Sequence, residues 1–538
     1  MHKAKLVFED LKNEYYQSCK VPIHWLSLAP SHSENYKAEI EQGALKVKAE
    51  GYLGAIQALQ KIRIGLKSGH LQDFLGFHSP QFRTRCLMIG SSMQSLLGNS
   101  DKTHQFCKRI LEMGYNSLLI ETVEEKKDFT QLCKDLQNYG FKIILKFKPS
   151  QVQNASKRSP LDSSYAHFIH QQLDDFISKH PSFDFLFWES QWLDPSFLHS
   201  PTADAYTLSE AVLLEARLLE NKLAMHAKSL VLYLPVNDST SAELCSPWIL
   251  NLADQLDAKT ILAFSAVCGD YYADHLAPHP IWNKIRSRIP SAKAALMPIL
   301  NIGNVRQGEG LWPILIQDLI DDYIMRCPHT HFPGVFCATH QIPQRESLLD
   351  CNLWVTGQVL WNPHMPSLSL FDTWFTAFRP EWNFMSNRAL FIQLRNLSKQ
   401  LNLLRSWIKE INRDSITSQE CKISAESILI QLSEIQTQLE KQERKRLKKC
   451  EKTALGDYFF HFSNDAKKII LHVLQGFNLS LPQLLNEQEL KESFWTDYNV
   501  KSGQGLRGSA QISFLETPNR GAPGSRTHAI YQENHLFV

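Results

Sequence analysis

No apolar run reaches the roughly 18 residues that a membrane-spanning helix needs. The cysteines number 11, an odd count, with no C-x-x-C pair and no regular interval. That argues against a disulfide framework and against a structural zinc site. The chain has no Walker motif, no G-x-S-x-G elbow and no Gly-rich loop after its first barrel-type strand. His275 and His279 stand four apart, but Pro278 and Pro280 break the helix that would bring them to one face. No third ligand is close in sequence, so neither a metal nor a cofactor is expected. One sign of charge does not dominate: 57 Lys and Arg oppose 55 Asp and Glu, a net charge of +2. Global electrostatics therefore give no reason to expect a nucleic-acid partner. The opening residues meet acidic side chains before any long apolar run, which reads as no signal peptide. The expectation is a reduced, cytoplasmic protein with no membrane partner.

What is present is ordinary globular material, 43% hydrophobic and 21% charged, in a chain of 538 residues. That length exceeds one compact core and predicts two to four domains. Residues 1–80 read as a small α/β unit. Ala38–Ile40 and Ala44–Val47 are short strands around Gly43, a helix covers Gly54–Ile64, and Gly76-Phe-His-Ser-Pro is a linker.

A different rhythm follows. Eight short apolar runs recur: Arg85–Ile89, Ser117–Ile120, Lys142–Leu145, Phe183–Trp188, Leu230–Val236, Thr260–Phe264, Ala294–Leu300 and Gly334–Ala338. Amphipathic stretches separate them, among them His104–Met113, Phe129–Tyr139, Ser163–Ser178 and Ser209–Lys222. Strands buried on both faces read as continuous apolar runs, and eight βα repeats with short connections predict a closed parallel barrel. After it, Leu390, Leu394, Leu397, Leu401, Leu404 and Ile408 recur at helical spacing, and Ser424–Lys449 gives a second helix. Asp465–Gln475 and Leu481–Ser493 add two more, and the tail from Lys501 is irregular. The expected fold is α/β: a small α/β domain (1–80), a (β/α)8 TIM barrel (81–384), a helical domain (385–499) and an irregular tail (500–538). A homodimer through the C-terminal helices is the expected assembly.

Active sites of such barrels lie past the C-terminal ends of the strands. Polar residues there are Glu121 after the second run, Lys146 and Lys148 after the third, and Glu189 after the fourth, between Trp188 and Trp192. Asn237 and Asp238 follow the fifth; Asp270, Tyr271 and Tyr272 the sixth. Asn301, Asn304, Arg306, Glu309 and Trp312 follow the seventh, and His340 and Gln341 the eighth. Carboxylates accompanied by aromatics suit glycoside hydrolysis. One carboxylic acid protonates the leaving oxygen, a second activates water or attacks the sugar, and flat rings desolvate the acid and stack on the substrate. Trp188, Trp192, Tyr271 and Trp312 are the candidate stacking surfaces, each with a place in the core as an equal alternative.

In Gly51-Tyr-Leu-Gly-Ala-Ile-Gln-Ala-Leu a Gly leads into a helix, and Arg83 to Ile89 is an Arg-led strand. Pro333-Gly-Val-Phe is followed by Cys351-Asn-Leu-Trp-Val-Thr-Gly-Gln-Val-Leu-Trp-Asn-Pro, with Trp374 in the next helix. These segments resemble the α-glucuronidases of glycoside hydrolase family 67 and, more distantly, the family 20 hexosaminidases. The first is similar to the end of that family's front domain, the second to its first barrel strand, and the third is the most specific match.

The resemblance implies a carbohydrate-active enzyme in which Glu189, in Glu189-Ser-Gln, is the general acid and Asp270 is part of the base. Asn301, Arg306, Glu309 and His340 join the aromatics as substrate-binding candidates. Asn301 stands where the family has a Glu, and an amide cannot accept a proton as a carboxylate does. Phe185, Leu234 and Ser265 stand where the family has basic residues for the substrate's carboxylate, which argues against a glucuronide. Three readings stay open: an inverting glycosidase acting on an oligosaccharide, a barrel that binds glycan without cutting it, and an interaction scaffold.

Overall fold

The computed structural model describes residues 2–19, 21–28, 33–89, 96–121, 127–147, 163–190, 208–234, 251–265, 294–303, 332–339, 347–410, 418–446 and 454–476, with short pieces at 31, 249, 267–268, 277–278 and 320–321. They fall into two units, one running to Pro380 and one carrying the helices from Phe384 on.

The first unit opens with a helix, His2–Ser18, whose Ala4, Val7, Phe8, Leu11 and Tyr15 are buried along one stripe. A four-stranded sheet follows, ordered Ile23–Leu28, Ala44–Ala49, Tyr36–Glu41, Gly76–His78. Its central hairpin turns on Gln42 and Gly43, both with positive φ (51° and 78°), which is the two-residue turn whose twist matches flanking antiparallel strands. Gly76–His78, expected as linker, is an edge strand paired with Tyr36–Ala38. The sequence pattern missed it because three residues are too few to show a period. The helix Tyr52–Ser68 lies almost wholly inside and buries Gln57, Gln60 and Lys61 with its apolar residues.

Eight parallel strands then close into a barrel in chain order: Thr84–Ile89, Ser117–Glu121, Lys142–Lys146, Phe185–Glu189, Ser229–Leu234, Ile261–Ser265, Ala295–Gly303 and Gly334–Thr339. Each expected apolar run is one of these strands, with no end displaced by more than three residues. Closure is made by six register pairs between the eighth strand and the first, from Gly334–Thr84 to Thr339–Ile89. Phe187 of the fourth strand meets Tyr233 of the fifth at 5.5 Å and Phe336 of the eighth at 6.3 Å, so side chains fill the interior.

The helix after the eighth strand (Leu348–Trp361) locks to the helix after the first (Ser100–Met113). Arg109 forks onto Asp350, with Nε 2.9 Å from Oδ1 and Nη2 on Oδ2. Tyr115 Oη donates to Leu353 O at 3.0 Å, and Gln358 Nε2 to Met113 O at 3.2 Å. Gly357 permits the approach: a Cβ there would be driven into the carbonyl oxygen of Met113, a backbone atom that cannot yield.

Beneath the barrel, Arg85 is fully buried. It donates to Gly114 O (2.6 Å) and Phe82 O (2.7 Å), pairs with Glu34, and lies 4.9 Å from the centre of the Trp361 ring. Lys61 Nζ covers the same ring at 4.2 Å. Burial, and then the neighbouring Arg85 charge, hold the Lys61 amine well below its ordinary value near 10.5, with Glu34 opposing. The folded chain therefore binds fewer protons than the unfolded one, and stability from this group is lost as pH falls from the ordinary lysine range toward the folded value. Lys61→Met is expected to raise stability by about 1–3 kcal/mol at neutral pH. In thermal melts at pH 7 and pH 10 the gain should be larger at pH 7. A midpoint lowered equally at both would show a charged, ring-bound Lys61 instead.

In the second unit three helices, Phe384–Glu410, Ser418–Arg446 and Ala454–Gly476, pack on one another. The stripe Leu390, Leu394, Leu397, Leu401 and Leu404 is buried, as its helical spacing predicts. The side chain of Ile408, the expected helix Leu481–Ser493 and the tail lie outside the described residues. Among the described residues no helix is long and apolar enough to cross a membrane.

Candidate functional site

Three adjacent strands end on charged side chains. The second ends at Glu121, the third at Lys146 and the fourth at Glu189. Glu121 and Lys146 are register partners across their ladder. Lys146 Nζ lies 3.8 Å from Glu121 Oε1 and 3.6 Å from Glu189 Oε2, so one ammonium is shared between two carboxylates. Below them it stands 6.0 Å from the centre of the Phe187 ring. Lys146 is nearly buried, whereas the Glu189 side chain keeps 23% of its surface open, which leaves it reachable from the mouth.

The next two strands continue the arc. Glu189 is the register partner of Tyr233, whose hydroxyl is 3.3 Å from Ser265 Oγ. Five consecutive strands thus bring two carboxylates, an ammonium and two hydroxyls to the C-terminal end of the barrel. Such a set can give and take a proton and can bind sugar hydroxyls as donor and acceptor.

Strand alternation decides which neighbours join this arc. Residues beside Glu189 point away from it. Trp188 is 1% exposed; it stacks on Phe147 at 5.6 Å and donates Nε1 to Glu215 Oε1 at 3.1 Å. The expectation that Trp188 offers a stacking face to substrate is therefore corrected: its ring lies on the outward side of the strand, between barrel and helices. Ser190, also buried, donates Oγ to Glu215 Oε2 at 2.8 Å.

Asn301 sits in the seventh strand as register partner of Ala338, and its side chain lies outside the described residues. Asp270, Trp192, Tyr271, Arg306, Glu309, Trp312 and His340 also lie outside them, as do Lys148, Asn237, Asp238, Tyr272, Asn304 and Gln341. At the three positions where the resemblance called for a cation, Phe185, Leu234 and Ser265 lie in their strands. The cation of the described arc is Lys146, one strand away from Glu189. Its place at the end of the third run was the signal, and nothing in the sequence linked it to Glu189. Glu215 carried no signal at all, being one of many charged residues on a helix. Among the described residues no group of three His, Cys, Asp or Glu side chains could hold a metal.

Compared with solved structures, the chain is similar to a GH138 enzyme targeting pectin rhamnogalacturonan II. The TM-score is 0.56 at 10% identity, over 88% of this chain and 69% of that one. That likeness is one of fold, a (β/α)8 barrel. A β-N-acetylhexosaminidase from Bacteroides fragilis NCTC 9343 is similar over 71% of this chain and 89% of that one, at 12% identity and a TM-score of 0.37. A family 20 β-N-acetylglucosaminidase is similar over 70% and 86%, at 9% identity and a TM-score of 0.40. No protein-family model and no curated protein matches the sequence. The resemblance to family 67 rests on the sequence motifs.

Proposed function

We propose that this protein is a glycoside hydrolase that cuts an oligosaccharide by acid/base catalysis with inversion. The observation that carries the reading is Glu189, at the end of the fourth strand, open to the mouth and beside Lys146 and Glu121. Glu189 protonates the leaving oxygen. Asp270, which follows the sixth strand in the chain, takes the proton of the attacking water. Inversion needs about 6.5–9.5 Å between the two carboxyl groups, so that water fits between them. Lys146 and Glu121 bind hydroxyls of the sugar on the Glu189 side.

The test is hydrolysis of a panel of neutral, N-acetylated and uronic aryl glycosides and oligosaccharides. Fragments of rhamnogalacturonan II belong on it, because the GH138 neighbour targets that pectin. Turnover with an anomerically inverted first product, read by proton NMR, is the expected result, and a neutral or N-acetylated sugar is expected over a glucuronide. A second reading is favoured by Asn301, an amide where the family has a carboxylate: a barrel that binds glycan without cutting it. Calorimetric binding of a panel member that is never hydrolysed would establish that reading.

A further inference from the structure

The geometry points to Glu215 as the positioning residue of Glu189, a role that rests on the proposed glycosidase reading for its catalytic meaning. Glu215 stands on the helix Leu208–Ala224 and is 4% exposed. Its two carboxylate oxygens accept from two different residues, Trp188 Nε1 at 3.1 Å and Ser190 Oγ at 2.8 Å. Those are the residues on either side of Glu189 in the chain. In an extended strand both point outward when Glu189 points inward, so one buried carboxylate grips the outward face on both sides of the residue that faces the mouth.

The grip falls where it is needed. Glu189 is the last residue of its strand, the place where a ladder gives way to loop. The pairing is carried one step further by Ser190, whose N–H donates to Tyr233 O at 3.0 Å. The Trp188 ring is held from the other side by Phe147. With both neighbours fixed, the strand cannot roll about its axis at Glu189. The direction of its Cα–Cβ bond, and so the 3.6 Å approach to Lys146, is set. Glu215 touches neither substrate nor reacting atoms in this scheme; it acts through Trp188 and Ser190.

The experiment compares Glu215→Ala with Glu215→Gln in the full chain. Gln keeps an acceptor for Trp188 Nε1 and offers a donor to Ser190 Oγ, so it should stay close to wild type. Ala removes both bonds. Carbon-13 NMR of carboxyl-labelled protein at fixed pH, with the Glu189 signal assigned by its loss in Glu189→Gln, reads the surroundings of the Glu189 carboxyl without any turnover. Glu215→Ala is expected to move that signal, because the carboxyl changes its distance to the Lys146 ammonium, and Glu215→Gln to leave it near its wild-type position. On a hydrolysed substrate Glu215→Ala should lower kcat by about 100-fold with KM little changed, and less for a dinitrophenyl glycoside, whose leaving group needs no proton.

A Glu189 carboxyl signal unmoved in folded Glu215→Ala overturns the inference whether or not the protein is a glycosidase. Absence of turnover by the wild type bears on the glycosidase reading, and the NMR comparison decides positioning independently. If Glu215→Ala does not fold, Ser190→Ala and Trp188→Phe each remove one bond. Both should move the Glu189 carboxyl signal, and no movement in either overturns the inference.

Discussion

Glu189→Gln is expected to lower kcat on a hydrolysed alkyl or sugar leaving group by about 10²–10⁴-fold, the usual worth of a positioned general acid. The amide keeps the shape and the hydrogen-bonding reach of the carboxylic acid but has no proton to give. Binding should therefore change little and KM should stay near wild type. The loss should shrink as the leaving group becomes a better anion, since a dinitrophenolate departs unprotonated. The variant is expected to fold, because the residues that hold this strand end, Trp188, Ser190 and Glu215, are untouched. Turnover within about threefold of wild type on a poor leaving group would remove Glu189 from the acid role. Glu121, across the Lys146 ammonium, would then be the next carboxylate to test.

Asp350→Ala is expected to cost about 3–5 kcal/mol of stability, the range for breaking a buried ion pair by removing one partner. Asp350 is fully buried at the start of its helix, its backbone N–H capped by Ser347 Oγ at 3.1 Å. The nearby helix N-terminus and the Arg109 fork both favour its charge. The fork holds the Arg109 guanidinium charged above its usual range, against the desolvation that opposes it. Removing Asp350 leaves that guanidinium to Glu112 alone among its named carboxylate partners, at 3.3 Å. The pair ties the last barrel helix to the first, so its loss opens the seam that closes the ring. Urea or thermal melts followed by circular dichroism give the measurement. A loss under about 1 kcal/mol would show that Gly357, Tyr115 and Gln358 hold the seam unaided, at the level of a surface pair.

The barrel was legible because of its own physics. Leu118-Leu119-Ile120 and Ile143-Ile144-Leu145 are buried on both faces, so they read as unbroken apolar runs that no surface strand would show. The helical stripe of Leu390 to Leu404 was legible for the matching reason at period 3.6. The helix His2–Ser18 carried a readable stripe, Ala4, Val7, Phe8, Leu11 and Tyr15, obscured by the Lys and Glu between those positions. The edge strand Gly76–His78 was not readable, since it exists only by pairing with Tyr36–Ala38.

The site divides along a different line. Chain position alone placed Glu121, Lys146 and Glu189 at strand ends, because strand ends follow from the apolar runs. Which way each side chain points did not follow. Trp188 adjoins Glu189 in the chain and faces the opposite way, since successive strand residues alternate sides. Lys146 and Glu215 are remote from Glu189 in the chain and come to it through a neighbouring strand and the following helix. The sequence by itself determined the alternation of strand and helix, the helical stripe and the residues at the strand ends, all of them local in the chain. Only the tertiary structure decided that one ammonium serves two carboxylates, that Glu215 grips both neighbours of Glu189, and that Arg109 meets Asp350. Those contacts join residues brought together by ring closure and helix packing, and no local pattern encodes the partner at the far end.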